Sequence, residues 1–248
     1  MSLAGELRKL ADRISIPEAR EAKRLRIPLS QYQLFRRLQV LADIRTVLDV
    51  GANTGEFASW SAICFPQATI HAFEPLEICQ PALAAAAAKH SNLRVHARAL
   101  GEACGRTTMF QNDFSPSSSL LPMCDRHREL WPKTRNDKPV EIEIETLDSF
   151  AQRVPLPGPV FLKMDVQGFE MHVLRGAADV LKDISIIMCE VLFEGLYEGQ
   201  ADFREMLNHL AAREFRFLEF ADERRLAPHG RLVYADAVFV RADLRYPN

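Results

Sequence analysis

Short apolar runs recur along the chain and alternate with stretches in which apolar residues have helical spacing. The runs predict strands at 46–50, 69–73, 93–97, 160–165 and 184–191. The stretches between them predict helices at 55–64, 76–88 and 168–181. Strands that alternate with helices are typical of a mostly parallel sheet with helices on both faces. The pattern therefore predicts an α/β fold.

The N-terminal part of the chain has a different pattern. Residues 1–44 have helical periodicity, with a break at Ile27-Pro28 and a new start at Ser30, whose spacing to Gln33 fits a capping box. We therefore interpret 1–44 as a helical extension of a domain that covers 45–248.

One face of this extension is apolar and consists of Leu34, Phe35, Leu38 and Leu41. A helix face of this kind packs against a core or covers a partner. We expect it to pack on the sheet domain. A lid over the site and a homo-oligomer contact through the N-terminal helices are the alternatives.

The C-terminal half adds further elements to the sheet. Residues 107–111 and 140–145 predict additional strands, and a helix is expected near 201–213. Two closing strands, 215–220 and 233–240, flank a polar loop and predict an antiparallel hairpin at one edge.

Residues 112–138 interrupt the α/β alternation. This insertion is rich in serine, proline and charged residues. Long insertions in compact domains are often binding loops or lids. We therefore expect the insertion to form part of an acceptor site.

Composition narrows the partners. The chain has 248 residues, 48% of them hydrophobic, with 31 basic against 33 acidic side chains. This balance argues against disorder and against bulk attraction to nucleic acid or to a membrane surface, so a small molecule is the expected partner. The first residues lack the apolar core of a signal peptide, and no stretch has the roughly 18 apolar residues of a membrane span. A cytoplasmic protein is expected.

Cysteine usage agrees with that compartment. The five cysteines are widely spaced and form no CxxC pair of a zinc or redox site, so we expect buried or half-buried thiols without chemical function. Cys189 lies in the apolar run IIMCEV, where burial would raise its pKa and make it inert.

The segment TVLDVGANTG, at 46–55, predicts a cofactor loop between the first strand and its helix. Asp49 interrupts the apolar strand near its carboxyl end. Gly51 permits close backbone approach, and Gly55 admits the helix. Asn53 tolerates a positive φ, and Thr54 completes the predicted binding loop.

The spacing of this loop discriminates between cofactors. An NAD-binding loop would read G-x-G-x-x-G, but Glu56 occupies the third glycine position and would repel a pyrophosphate. A P-loop is excluded because no Gly-Lys-Ser/Thr follows. The pattern G-x-N-x-G resembles the first motif of class I methyltransferases, whose ligand S-adenosylmethionine carries no phosphate. We expect Asp49 to bind its ammonium and the loop amides to bind its carboxylate.

A second acidic residue supports this cofactor. Glu74 ends the next predicted strand, about 20 residues after the loop, the spacing at which a carboxylate binds ribose hydroxyls. The third predicted strand ends at Ala99 and Leu100, whose small and apolar side chains are expected to wall the adenine.

Several motifs in order resemble the FkbM family of S-adenosylmethionine-dependent methyltransferases. They are DVGANTG, AFEP, SSSL, ETLD, LKMDVQGFE and VLRGA, between Thr46 and Glu190. The resemblance implies a class I, Rossmann-like methyltransferase sheet. It also implies methylation of a hydroxyl on a sugar, polyketide or other small metabolite. Gln167 departs from the family, which usually has Glu there.

Two carboxylates are the candidates for the chemistry. Asp165 and Glu190 each end a predicted strand and should lie at the same sheet edge as the cofactor loop. Asp165 is expected to position the acceptor or act as general base, with Glu190 assisting it or helping to hold a divalent cation. Alternatively, Glu190 caps a turn or pairs with Lys163, which shares strand parity with Asp165.

Three further residues enter as weaker candidates. His172, early in a helix, is an alternative base because its ordinary pKa suits the task, although packing is its commoner role. His127, in the insertion, is a second alternative base. Trp131 is expected to stack on a sugar ring if the insertion forms the acceptor site.

Two other functions stay open on sequence alone. Gln167 is compatible with a protein that binds S-adenosylmethionine without turnover. An NAD-dependent oxidoreductase is the third alternative.

Overall fold

The computed structural model describes residues 17–246 of the chain, and its larger sheet has seven strands. Its strands are β1 (Thr46–Val50), β2 (Thr69–Phe73), β3 (Leu93–His96), β7 (Val160–Met164), β8 (Ile184–Leu192), β9 (Phe215–Leu226) and β10 (Arg231–Arg241). Their spatial order is β3-β2-β1-β7-β8-β10-β9. β1, β2, β3, β7 and β8 are parallel, and β10 pairs antiparallel with both β8 and β9. The mostly parallel sheet and its antiparallel C-terminal hairpin are confirmed.

A smaller sheet lies beside the first. It contains β4 (Ala99–Leu100), β5 (Gly105–Asn112) and β6 (Asp137–Glu145), in the order β4-β6-β5. We predicted that Ala99 and Leu100 end the third strand, and this is wrong. β3 ends at His96, where the Arg98 amide donates to the His96 carbonyl and turns the chain. Ala99 and Leu100 then pair in parallel with β6.

The helices follow the predicted alternation, with two differences in length. They are α1 (Pro17–Leu25), α2 (Leu29–Leu41), α3 (Glu56–Cys64), α4 (Gln80–Ala87), α5 (Asp125–Leu130), α6 (Leu147–Arg153), α7 (Glu170–Arg175) and α8 (Phe203–Ala211). A 3-10 turn at Glu77–Cys79 precedes α4. α7 is shorter than predicted and ends before Gly176. This glycine packs against Gly101, and a Cβ on it would lie 1.8 Å from the Gly101 carbonyl oxygen.

The N-terminal extension is helical where the structure describes it, and residues 1–16 lie outside the described part. The predicted capping box is wrong: α2 begins at Leu29 after Pro28, and no side chain caps it. The Gln33 Nε2 instead donates to Glu18 Oε2 of α1 at 3.1 Å.

The apolar face of α2 packs on the sheet domain, as predicted. Leu34, Phe35 and Leu38 are fully buried in one core with residues of β1, β2 and β7. The Phe35 ring contacts Phe57 and Phe65 edge to face, at centroid distances of 5.4 and 5.2 Å. This face is therefore covered within the chain. Assembly through the N-terminal helices would need another surface and stays a prediction.

Helix length bears on membrane association. Between residues 17 and 246, no helix combines the length and the apolar character needed to cross a membrane.

Candidate functional site

The loop after β1 holds an unusual backbone conformation that brings it against β7. Gly51 has φ +76°, and a Cβ there would lie 2.0 Å from the Asp165 carbonyl oxygen. Only glycine fits this approach. Asn53, with φ +46°, is the left-handed residue that the sequence predicted. The loop thereby directs its backbone towards a cleft at the carboxyl edge of the sheet.

Glu74, at the end of β2, lies beside this loop and is almost fully buried. Its Oε2 accepts the Asn53 amide at 2.9 Å, and its Oε1 accepts the Leu76 amide at 3.0 Å. Burial raises the pKa of Glu74, and the two backbone donors oppose that rise. Each oxygen keeps a lone pair for a further donor.

These elements line a first cleft of about 610 Å³. The predicted residues that line it are Gly51, Asn53, Glu74, Ala99, Leu100 and Asp165. The sequence did not point to its other walls, which include Phe73, Leu76 and Met109 as well as Ser115, Pro116, Ser118 and Leu120 of the insertion. The Asn53 Nδ2 donates to Ser115 Oγ at 3.1 Å, so the insertion is tied to the loop.

Three predicted cofactor residues do not line this cleft. Asp49 is fully buried beneath the loop, and its Oδ1 lies 3.0 Å from the Lys163 Nζ. Its carboxylate therefore does not reach the cleft, where the sequence had predicted a contact with the ligand. Thr54 is exposed and does not line the cleft. Gly55 is buried against Leu83 of α4 and serves helix packing.

The ion pair beneath the loop has a structural role. Asp49 and Lys163 are aligned across β1 and β7, so both side chains project from the same face. The Lys163 Nζ also donates to the Gly51 carbonyl at 3.1 Å. Burial disfavours the ammonium, but the Asp49 and Asp165 carboxylates outweigh it and raise the pKa of Lys163. The alternative pairing of Lys163 with Glu190 is absent here.

A second cleft, of about 620 Å³, lies next to the first. The insertion supplies one side with Phe114, Pro116, Ser117, His127, Trp131 and Thr134. Asp165, Gln167, Glu190, Leu196 and Tyr234 supply the other. Pro116, Asp165 and Gln167 line both clefts, so the two clefts meet at these residues.

Asp165 and Glu190 lie together, as the sequence predicted. Met164 is aligned with Cys189, which places the next residues of the two strands side by side. Burial and the Asp165 charge raise the pKa of Glu190 well above its ordinary value. The Asp165 side chain is 43% exposed, which makes it the more accessible of the two carboxylates.

The neighbouring strand adds a third carboxylate that we did not predict. Asp236 of β10 is aligned with Glu190, and burial together with Asp165 raises the pKa of Asp236 to about 7. The sequence signal for Asp236 is its place in β10, where a charged residue interrupts the largely apolar run VYADAVFV.

Gln167 connects the carboxylates. Its Nε2 donates to Asp165 Oδ1 at 2.8 Å and to Glu190 Oε2 at 3.0 Å. Its Oε1 accepts the Tyr197 hydroxyl at 2.7 Å. Tyr197 stands in no motif and was missed. Within residues 17–246, no group of three or more His, Cys, Asp or Glu side chains is arranged to hold a metal ion.

The histidines occupy different places. His127 is buried beside the second cleft, where its Nε2 lies 3.2 Å from the Tyr197 hydroxyl and burial lowers its pKa to about 4. His172 lies outside both clefts, with its Nδ1 3.3 Å from Glu102 and its ring stacked on Phe169. His172 is therefore a packing residue.

The remaining predictions concern Trp131 and the cysteines. Trp131 lines the second cleft and packs on His127. Cys189 is buried and its pKa is raised by burial, in agreement with an inert thiol. Cys104 is exposed, which corrects the expectation that all five thiols are covered.

The comparisons agree with this geometry. The Methyltransferase FkbM domain matches residues 49–217. A 2-O-methyltransferase NoeI of Sinorhizobium fredii (strain NBRC 101917 / NGR234) is 27% identical over 210 residues, which cover 78% of this chain and 83% of the relative. Methyltransferase 1 of Beauveria bassiana is 25% identical over 163 residues, 58% of this chain and 64% of its own length.

Among solved structures, a methyltransferase FkbM from Methylobacillus flagellatus KT shares the fold. Its TM-score is 0.50 at 16% identity, over 80% of this chain and 44% of that protein. The sheet is mostly parallel and has its clefts at the carboxyl edge, and the family model matches more than half of the chain. Together these findings define a class I methyltransferase. The chain belongs to the FkbM methyltransferase family.

Proposed function

We propose that the protein is an S-adenosylmethionine-dependent O-methyltransferase that binds the methyl donor in the first cleft and a small hydroxylated acceptor in the second. The observation that supports this most directly is the position of Asp165, because this residue lines both clefts. Methyl transfer requires donor and acceptor to be aligned at one point.

The first cleft suits the donor. The free lone pairs of Glu74 are available to two vicinal ribose hydroxyls. Leu76, Leu100 and Met109 provide an apolar wall for a purine. The Asn53 side chain and the loop backbone remain for the methionine end of the ligand. In this proposal Asp49 supports the loop through Lys163 and does not touch the donor.

The chemistry is a displacement at the methyl carbon. Bound S-adenosylmethionine supplies the methyl group from its sulfonium, so that the carbon–sulfur bond breaks as the carbon–oxygen bond forms. Asp165 accepts the proton of the acceptor hydroxyl as general base. Glu190, which lines the second cleft beside Asp165, offers a carboxyl group that holds the acceptor through a hydrogen bond.

The second cleft suits a ring that carries hydroxyl groups. Phe114, Trp131 and Tyr234 offer aromatic faces, and Asp165 and Glu190 offer hydrogen-bonding groups. NoeI is named as a 2-O-methyltransferase. The acceptor class is therefore a hydroxyl on a sugar, polyketide or other small metabolite. A near-neutral charge favours such a partner over nucleic acid or membrane, in a cytoplasmic enzyme.

Titration and turnover test this function. Calorimetry with S-adenosylmethionine should show binding, and NAD should give none because Glu56 stands at the start of α3. NAD binding without any response to the methyl donor would contradict the proposal. Incubation with labelled donor and a panel of sugars, phenols and polyketides should give labelled product. Donor binding with no transfer across the panel would favour the binding-only protein.

A further inference from the structure

Gln167 holds a strained and central position. Its φ of +55° lies in the left-handed region, which is strained for a residue with a side chain. This conformation places its amide between Asp165 and Glu190, within hydrogen-bond distance of both. Two adjacent carboxylates repel unless a proton or a cation lies between them. The amide supplies both donors without adding a charge.

The orientation of the amide is fixed from the other side. The Tyr197 hydroxyl donates to Gln167 Oε1 at 2.7 Å, so the NH₂ group must face the carboxylates. His127 Nε2 lies 3.2 Å from the same hydroxyl, and Thr134 Oγ1 lies 3.1 Å from His127 Nδ1. His127 and Thr134 belong to the insertion. The chain of contacts therefore joins the insertion to the carboxylates.

We propose that Gln167 is a positioning residue: its amide holds Asp165 and Glu190 together through one hydrogen bond to each, and Tyr197 fixes its orientation. The inference rests on the proposed function, because that function assigns Asp165 as the base and Glu190 as the group that holds the acceptor. In this role the uncharged amide leaves Asp165 as the charged base without a divalent cation.

Several titratable groups surround these carboxylates. They are Lys163 on β7, Glu170 on α7, Tyr197 after β8, Tyr234 and Asp236 on β10, and His127 in the insertion. Burial raises the pKa of Glu170 to about 7, and the negative charge of Asp165 adds to the rise. The acidic groups of the cluster therefore already repel one another. A further charge at 167 would add directly to that repulsion.

The main test is Gln167→Glu, assayed for methyl transfer as a function of pH. Glu has the same length and meets the same backbone strain, so the comparison isolates loss of the donor and gain of charge. We expect the acid limb of kcat/KM to move to higher pH by about one unit or more, since a like charge raises the pKa of the base. Gln152→Glu, which adds the same charge on the exposed surface of α6, should leave the profile unchanged.

A second variant keeps the proposal testable if Gln167→Glu does not fold. Tyr197→Phe keeps the ring and removes the hydroxyl, which frees the amide to rotate. We expect kcat to fall about tenfold while the affinity for S-adenosylmethionine stays near wild type. The melting temperature should fall moderately, because one buried hydrogen bond is lost, and the variant should remain folded. Wild-type kcat in Tyr197→Phe would contradict the role of Tyr197.

Two outcomes would overturn the inference while the proposed function stands. One is a folded Gln167→Glu enzyme with the wild-type pH profile. The other is a wild-type enzyme that loses activity in EDTA and regains it with Mg²⁺ or Mn²⁺, since a cation would then bridge the carboxylates. Failure of the wild type to bind or transfer from S-adenosylmethionine would instead refute the proposed function itself.

Discussion

Glu74 shows how one side chain is prepared for binding. It is buried, it accepts two backbone amides, and it lines the first cleft. The backbone donors fix both carboxylate oxygens before a ligand arrives. Preorganisation of this kind reduces the entropy lost on binding.

Glu74→Gln should therefore weaken donor binding. The amide retains one acceptor oxygen and replaces the other by a donor, which faces a backbone NH. Loss of a charged hydrogen bond is worth about 1.5–3 kcal/mol, so we expect the S-adenosylmethionine Kd to rise about 10- to 100-fold. Calorimetric titration measures it. Glu77→Gln, exposed three residues later, is the control, and equal Kd values for the two variants would remove Glu74 from the site.

Asp236 gives a pH-dependent prediction. Its pKa of about 7 in the folded state lies above its ordinary value of 3.8, so the folded protein holds a proton that the unfolded chain releases between about pH 4 and 7. The stability that this group contributes is present below pH 4 and is lost as pH rises through 7.

Asp236→Asn removes that loss. The free energy of unfolding of Asp236→Asn minus that of wild type should increase from pH 4.5 to pH 7.5. The increase should be no more than about 1.4 kcal/mol per pH unit. Urea unfolding at the two pH values measures the difference. Asp243→Asn, on the exposed C-terminal segment, should show no such trend. A gain that shrinks as pH rises would contradict the assignment.

At the scale of elements, β1 and β7 are joined by a buried charge pair. Asp49 and Lys163 project from one face and support the loop through the Gly51 carbonyl. Sequence reasoning assigned Asp49 to the ligand because it interrupts an apolar strand near its carboxyl end. It could not show that the strand alignment places Lys163 directly opposite, since register depends on pairing across the sheet.

Lys163→Met should destabilise the protein strongly. Removing one partner of a buried ion pair leaves an uncompensated charge, which costs about 3–5 kcal/mol. The exposed pair of Arg106 and Glu141 provides the matched control, and Arg106→Met should cost less than about 1 kcal/mol. Urea unfolding at neutral pH compares the two. Similar losses in both variants would contradict a structural role for the buried pair.

The insertion, residues 112–138, lines more of the candidate site than the sequence predicted. It was predicted to form an acceptor site, and it lines the second cleft. It also reaches the first cleft through Ser115, Pro116 and Ser118. The Asn112 side chain secures its two ends by donating to the Thr134 carbonyl at 2.7 Å and accepting the Phe114 amide at 2.9 Å.

At the scale of the molecule, the sequence predicted the sheet well. Apolar runs and helical spacing are local signals, so the strands β1, β2, β7 and β8 were predicted within one or two residues. The pairing of β4 with β6 was missed because it depends on a turn at Arg98 and on contacts far along the chain.

The candidate residues at the clefts were predictable where they stand in a motif or at the end of a strand. Gly51, Asn53 and Glu74 were found from spacing, and Asp165 and Glu190 from their places at strand ends. Tyr197 and Asp236 were missed because their roles arise from three-dimensional proximity. Gln167 was recognised only as a departure, and its three hydrogen bonds required the fold.

The central claim is that donor and acceptor meet at Asp165. The most direct test measures transfer of labelled methyl groups by wild type and Asp165→Asn, with S-adenosylmethionine affinity determined on the same preparations. We predict that Asp165→Asn binds the donor as wild type does and transfers methyl groups about 10²-fold more slowly or worse, the usual scale for a general base. Asp183→Asn, on the exposed surface, should behave as wild type. Unchanged turnover in Asp165→Asn would contradict the claim.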